Sequence, residues 1–234
     1  MELSINKVIQ DIEALFPEST FEPSKLDGIF RVTAYDYALV TILPQLLDEI
    51  NTAAPNLKVI VRDFESDQLN QLMLTGEVDL AISFPEFIPD SCLTKLLFHE
   101  QHVCVVSKTS PLAGKKLSIE TIAEHPQLII SPSRANLKGS HDDWFTKKGL
   151  NRNIVMSIPS FSAAPDIIGR SKLACFLPKR LLPNEKLAQV QLDELPPCFD
   201  VIAAWHQRSS NSPTLKWVME LANQIFKEKS VAKE

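Results

Sequence analysis

Short apolar runs alternate with amphipathic segments along most of the chain, and this alternation constrains the fold more than any other feature. From Phe30, FRVTA reads as a strand, and TILPQLLDEINTAAP as a helix started or kinked near Pro44 and stopped before Pro55. VIVRDF is a strand, Ser66 to Thr75 a helix ended by Gly76, and DLAIS a strand. The order β-α-β-α-β requires parallel strands with helical crossovers. After a loop with Pro85 and Pro89, HVCVVS is another strand.

A second set follows. LSIETIAEHP is a short helix that Ser118 can cap, and QLIIS is a strand. SHDDWFTKKG is a helix with a capping box, Ser140 and Asp143, and a terminal Gly149. IVMSI is a strand, SAAPDIIGRS a helix, LACFLP a strand and VIAAW a further strand. Ser212 and Pro213 open a last helix with one apolar face, Leu215, Val218, Met219, Ala222, Ile225 and Phe226. That helix has no sheet partner of its own and can return to the first set. Before all of this, Ile5, Val8, Ile9, Ile12, Leu15 and Phe16 recur at helical spacing up to Pro17, and PESTFEPSKLDG reads as a linker. The first helix starts with almost no lead-in. It reads either as the tail of a longer helix or as a short capping helix.

Composition excludes several function classes. A chain of 234 residues with 44% hydrophobic and 23% charged residues is an ordinary folded protein of one large or two small domains. Six glycines occur, and the closest pair, Gly139 and Gly149, is too far apart for G-x-G-x-x-G or a Walker-type loop. A formal net charge of -5 argues against a nucleic-acid-binding surface, because clustered Lys and Arg hold a phosphate backbone. No apolar run approaches about 18 residues, and the N-terminus lacks the layout of a secretory signal, so a cytoplasmic protein without a membrane partner is expected. Cys92, Cys104, Cys175 and Cys198 form no C-x-x-C pair and read as buried free thiols.

No residue pattern argues for catalysis, so a non-enzyme is expected, with no cofactor and no metal. His99 and His102 flank a strand and fall on opposite faces, which is poor metal geometry. His141-Asp142-Asp143 reads as a solvated helix start, and Asp63 and Glu65 as surface carboxylates. Two α/β sets with a cleft between them are a natural small-molecule site. Two turns are the candidates for its walls: Ala34-Tyr35-Asp36-Tyr37, and Pro159-Ser160-Phe161-Ser162. Each combines helix-starting amides with aromatic rings and hydroxyls, although capping and core packing account for them equally well.

FRVTA, DY, ILPQLL, AP and GEVDLAIS, with the later IPSFSAAPDIIGRSKLACFLPKRLL, resemble the effector-binding domain of LysR-type transcriptional regulators. The subgroup is that of the nodulation and leucine-operon regulators, and the resemblance runs from about Phe30 to Phe226. It implies an α/β fold of two Rossmann-like lobes joined by two crossover strands, like type II periplasmic binding proteins. It puts the crossings near Gln101 to Val103 and near Trp205. The implied division is 1–28 linker helix and linker, 29–101 plus 206–228 lobe I, 102–205 lobe II, and 229–234 tail.

The resemblance places Tyr35, Asp36, Tyr37, Glu65, Ser66, Ser83 and Phe84 on the first-lobe wall of the cleft, with Ser160, Phe161 and Ser162 facing them. It implies a small-molecule effector and a homodimer or homotetramer, formed by pairing the helix near Leu39 to Ala53 with that near Ala163 to Arg170. The family's N-terminal winged helix-turn-helix is expected outside this chain, so DNA is contacted only through that domain. Asp36 would repel a simple carboxylate effector. A free-standing solute-binding protein of the same fold is the alternative, and four unpaired cysteines count against it. An enzyme on this scaffold is the third option.

Overall fold

The computed structural model describes residues 21–132 and 136–227. The expected first helix and the tail after 228 lie outside the described residues. Strand β1 (Gly28–Ala34) leads directly into helix α1 (Asp36–Thr41), which breaks at Ile42 before α2 (Leu43–Ala53). Pro44 explains the break, because a residue without an N–H fits only the first turn of a helix. Leu43, Leu46 and Ile50 recur on one face of α2 and are buried. Each such side chain contributes about 1.5–3 kcal/mol of burial free energy.

Strand β2 (Leu57–Arg62) runs parallel to β1. Helix α3 (Leu69–Thr75) ends at Gly76, whose φ of +86° is a left-handed cap that a Cβ would strain. Strand β3 (Leu80–Ser83) is buried along its whole length and parallel to β1 on its other side. The chain then forms β4 (Cys92–Glu100), an element the Pro-rich loop hid from sequence reading. Its apolar residues do not alternate cleanly, since it is an edge strand that exposes Leu93 and Leu96.

The second set holds β5 (His102–Ser107), β6 (Lys116–Leu117) and α4 (Ile119–Glu124), where Ser118 Oγ accepts from Thr121 N. It continues through β7 (Gln127–Ile130), α5 (Asp142–Thr146), β8 (Ile154–Ile158) and α6 (Ala164–Gly169). The last strands are β9 (Cys175–Pro178), β10 (Leu187–Gln189), β11 (Gln191–Leu192) and β12 (Phe199–His206), followed by helix α7 (Pro213–Lys227). The capping box expected at Ser140 and Asp143 does not form. His141 is the N-cap, and Asp142 Oδ2 accepts from Gly139 N instead.

One five-stranded sheet has the order β2-β1-β3-β12-β4. In the second set β10-β5-β9 and β7-β8 are linked by a bridge between Gln127 and Ala174. Strand β12 therefore belongs entirely to the first sheet, antiparallel to β3 and β4. The first crossing sits at Gln101, between β4 and β5. The return crossing is the segment 193–198, not the neighbourhood of Trp205, because Trp205 is already paired to Leu93. Helix α7 returns to the first sheet and packs Leu215, Val218, Met219, Ala222 and Phe226 into its core. No helix among the described residues is long and apolar enough to cross a membrane.

Candidate functional site

Three structures meet where the lobes face each other: a clasp, a hinge and a cavity. The clasp is built on Asp36, the first residue of α1. Its Oδ2 accepts from Ser160 Oγ (2.6 Å), Ser162 N (3.0 Å) and Ser162 Oγ (3.0 Å), and its Oδ1 from Phe161 N (3.1 Å). The carboxylate thus stands between the starts of α1 and α6, where two sets of helix-starting amides favour negative charge. Ser160 Oγ also accepts from Ala163 N.

At the hinge, Tyr37 is buried and its hydroxyl donates to Glu100 Oε2 at 2.6 Å. Burial, reinforced by Glu100, holds the phenol well above its usual pKa. Arg180 Nε lies 3.5 Å from the same carboxylate oxygen, and its guanidinium covers the Phe98 ring at 3.9 Å. Gln101 N donates to Glu100 Oε1. The Gln101 side chain donates to Pro196 O at 2.6 Å and accepts from Cys198 Sγ, so one residue fastens both crossings.

The cavity, of about 660 Å³, opens beside this hinge. The first lobe contributes Phe84, Glu86, Phe87 and Phe199, the second contributes Ile130, Ser140, His141 and Trp144, and the return crossing contributes Pro197 and Cys198. His102 stacks on Phe199 (ring centroids 4.4 Å apart) and meets His141 edge-on at 4.3 Å. His102 Nδ1 is buried without a hydrogen-bond partner. Burial, and the Arg152 guanidinium behind it, push His102 down to about 3. Burial, then His102 and Arg152, hold His141 well below the usual imidazole value. Both rings are therefore neutral at pH 7. Arg152 is itself almost fully buried, with Nη1 2.9 Å from Asp142 Oδ1 and Nε 3.0 Å from Gln127 Oε1.

The candidate residues are distributed unevenly around these features. Asp36, Ser160, Phe161 and Ser162 come together in the clasp, and Tyr37 lies in the hinge. Phe84 and Phe161 line the cavity. Tyr35 packs against Phe64, Phe84 and Phe87. Ser83 is buried at the end of β3, its hydroxyl without a partner. Glu65 accepts from Arg62 and Gln68, and the Ser66 carbonyl accepts from Leu69 N, which places both in the turn that precedes α3.

Sequence reading missed His102, His141, Trp144, Cys198 and Phe199. His141 is buried, not a solvated helix start, because α5 turns it inward against Phe176. Cys198 is exposed, unlike Cys92, Cys104 and Cys175, because the Pro-rich crossing holds it outside either core. The signal was available: Pro196 and Pro197 beside an aromatic mark a rigid extended segment. Burial drives the Cys104 and Cys175 thiols upward, Cys104 to about 12, so neither is reactive at neutral pH. No group of three or more metal-ligating side chains occurs among the described residues.

A two-lobed α/β chain with an inter-lobe cavity lined in part by its return crossing is distinctive, and comparison with known proteins decides its kinship. The family model described as LysR substrate binding domain matches residues 23–227. The chain belongs to this family. Among its relatives are Nodulation protein D 3 of Mesorhizobium japonicum, 23% identical over 86% of this chain and 68% of that protein. The HTH-type transcriptional activator NahR of Pseudomonas putida is 25% identical over 91% and 72%. This LysR-type domain thus spans roughly two thirds of the length of such regulators. Among solved structures, the regulatory domain of MexT from Pseudomonas aeruginosa superposes with a TM-score of 0.72 at 19% identity, covering 85% of this chain and 100% of that one. The CcmR regulatory domain of Synechocystis, in complex with 2-PG, gives 0.71 at 17% identity over 86% and 98%. The fold is the periplasmic-binding-protein-like fold of LysR regulatory domains.

Proposed function

We propose that this LysR-type domain senses a small molecule in its inter-lobe cavity and, as part of a bacterial transcription regulator, transmits occupancy to DNA-binding domains. One observation carries the reading: a cavity of about 660 Å³ takes its walls from both lobes and from the segment that joins them. A ligand there touches both arms and the hinge. It therefore has a different free energy in each lobe arrangement, which is what a population shift requires. Residues 28–100 with 199–227 act as one arm and 102–192 as the other, pivoting at Gln101 and 193–198. The Asp36 clasp sets the resting arrangement, with Tyr35, Tyr37, Glu65, Ser66 and Ser83 shaping or supporting its first-lobe side. That a relative of the same fold is described in complex with a small molecule supports a ligand-responsive domain.

The test is the melting temperature against a panel of aromatic acids, amino acids, phenols and amphiphiles. A ligand at about 100 times its Kd adds about 2.7 kcal/mol, a shift of several degrees. Hits that vanish in Cys198→Trp, which fills the mouth from an exposed position, support the reading. Hits that persist there move the site elsewhere.

The same reading includes self-association. Leu39 and Val40 on α1 are exposed, each by more than two-fifths of their surface (43% and 48%), at the start of the segment 39–53 expected to pair with α6 of a second copy. Sedimentation is expected to show a dimer or tetramer. A monomer at about 100 µM overturns this part.

A further inference from the structure

The charges of the chain are sorted between its two lobes. Residues 28–100 and 199–227 hold 7 Lys and Arg against 13 Asp and Glu, a net charge of -6, whereas residues 102–192 hold 13 against 6, a net charge of +7. The overall charge of -5 conceals this. The same sorting holds where the lobes meet. The first lobe presents acids: Asp36 in the clasp, Glu86 at the cavity mouth and Glu100 at the hinge. The second lobe answers with the amides and hydroxyls of the Ser160 turn, with Arg180 against Glu100, and with Lys138 and Lys147 at the mouth, where Asp143 is the acid on their side.

These pairs differ in how far they have closed. The Glu100 side chain is only 4% exposed and lies 3.5 Å from Arg180. Glu86, Lys138 and Lys147 are exposed, line one cavity from opposite lobes, and are in no ion pair among the described residues. Salt treats the two cases differently. For exposed charges the screening length falls from about 30 Å at 0.01 M to about 10 Å at 0.1 M and about 3 Å at 1 M, while buried pairs are screened much less. One exposed pair is worth little, but whole lobes of opposite sign attract over a distance as long as salt is low. Added salt therefore leaves the hinge pair in place and weakens the attraction at the mouth.

We propose that ionic strength sets how far the two lobes close, through opposite charge sorted between them, with Glu86 facing Lys138 and Lys147 at the mouth and the Glu100–Arg180 pair staying shut at the hinge. This rests on the reading of the lobes as arms that pivot at Gln101 and 193–198, and it requires no effector.

Energy transfer between dyes on Gln71→Cys and Asn151→Cys, exposed positions in opposite lobes, reads the lobe separation. The background is Cys198→Ser, which keeps a donor for Gln101 and leaves only the buried cysteines. Transfer is expected to fall as NaCl is raised from about 10 mM to about 500 mM, most steeply below about 100 mM. Sucrose at matched osmolality is expected to leave it unchanged. Glu86→Lys is expected to lower transfer at low salt, and adding Lys138→Glu and Lys147→Glu to restore it with the signs exchanged. Transfer that is flat or rises with salt overturns the proposal, as does an equal response to sucrose. So does a Glu86→Lys variant that changes nothing, or a triple variant that stays open. A salt response seen only with unlabelled chain in excess also overturns it, because the charges then act between copies. Asp36→Ala separates the proposal from the reading beneath it. If that variant lowers transfer and salt does not, the arms move but charge does not set their angle. If neither moves it, the pivoting arms fail as well.

Discussion

The clasp and the cavity wall both place polar groups between the lobes, and they differ in what satisfies those groups. At the clasp, one carboxylate receives two hydroxyls and two amides from the opposite lobe. At the cavity wall, two imidazoles are buried among Phe176, Phe199 and Arg152, and one ring nitrogen has no partner. Buried polar groups are normally paired. An orphan beside a cavity therefore differs in kind from a finished bond network. The clasp is closed by the protein itself, whereas the wall keeps a buried nitrogen that no protein group pairs.

The sharpest break of this contrast is acid. In the unfolded chain both histidines titrate near 6.5, whereas in the fold His102 is pushed down to about 3 and His141 is also strongly lowered. The unfolded state therefore takes up protons first. The stability tied to these rings is complete above about pH 6.5 and falls as pH drops towards the folded values. For His102 the slope approaches about 1.4 kcal/mol per pH unit, or about 2 kcal/mol between pH 7 and pH 5, and His141 adds in the same direction. Urea midpoints across that window measure it, with His102→Phe expected to make the slope shallower. A flat profile would mean that the wall is open enough to hydrate charged imidazolium.

Removing the clasp is the next largest effect. Asp36→Ala leaves four donors without their acceptor, in a site that water reaches at Ser162. The expected cost is about 2 kcal/mol, less than for a fully buried network because the donors can hydrate. The more telling readout is shape. The radius of gyration from X-ray scattering is expected to rise, since the hinge bonds of Glu100 and Gln101 remain while the arms lose their tie. An unchanged radius would show that the Tyr37, Glu100 and Arg180 network alone sets the lobe angle.

How much of this was legible in the sequence follows from the range of the interactions involved. Strands such as DLAIS and HVCVVS and the face of α7 were readable because burial imposes a local period on them. Strand β4 was not, because an edge strand buries only part of one face, and the return crossing was misplaced because VIAAW looks the same in either sheet. The clasp turn PSFS was legible as a turn with hydroxyls. Its partner Asp36 lies more than a hundred residues away, so the bond itself could not be read. The His102–His141 pair was invisible for the same reason: each residue alone resembles a strand end or a helix start, and only the fold puts them 4.3 Å apart.

Dissecting the clasp residue by residue gives the smallest effects and the finest contrast. Ser160 Oγ gives its proton to Asp36 and accepts from Ala163 N, so it serves both the inter-lobe bond and the start of α6. Ser162 is exposed and adds one hydroxyl bond to a carboxylate that also holds the Ser162 amide. Ser160→Ala is therefore expected to cost about 1–1.5 kcal/mol and Ser162→Ala about 0.5 kcal/mol or less. In the background of Asp36→Ala the Ser162 effect should shrink to its 3.0 Å hydroxyl contact with Ser160, while the part of the Ser160 effect that belongs to capping should persist. Equal losses for the two serines would mean that the clasp is held by its hydroxyls alone. The expected inequality follows from the double duty of Ser160, whose hydroxyl makes the shortest bond to Asp36 and also accepts from Ala163 N.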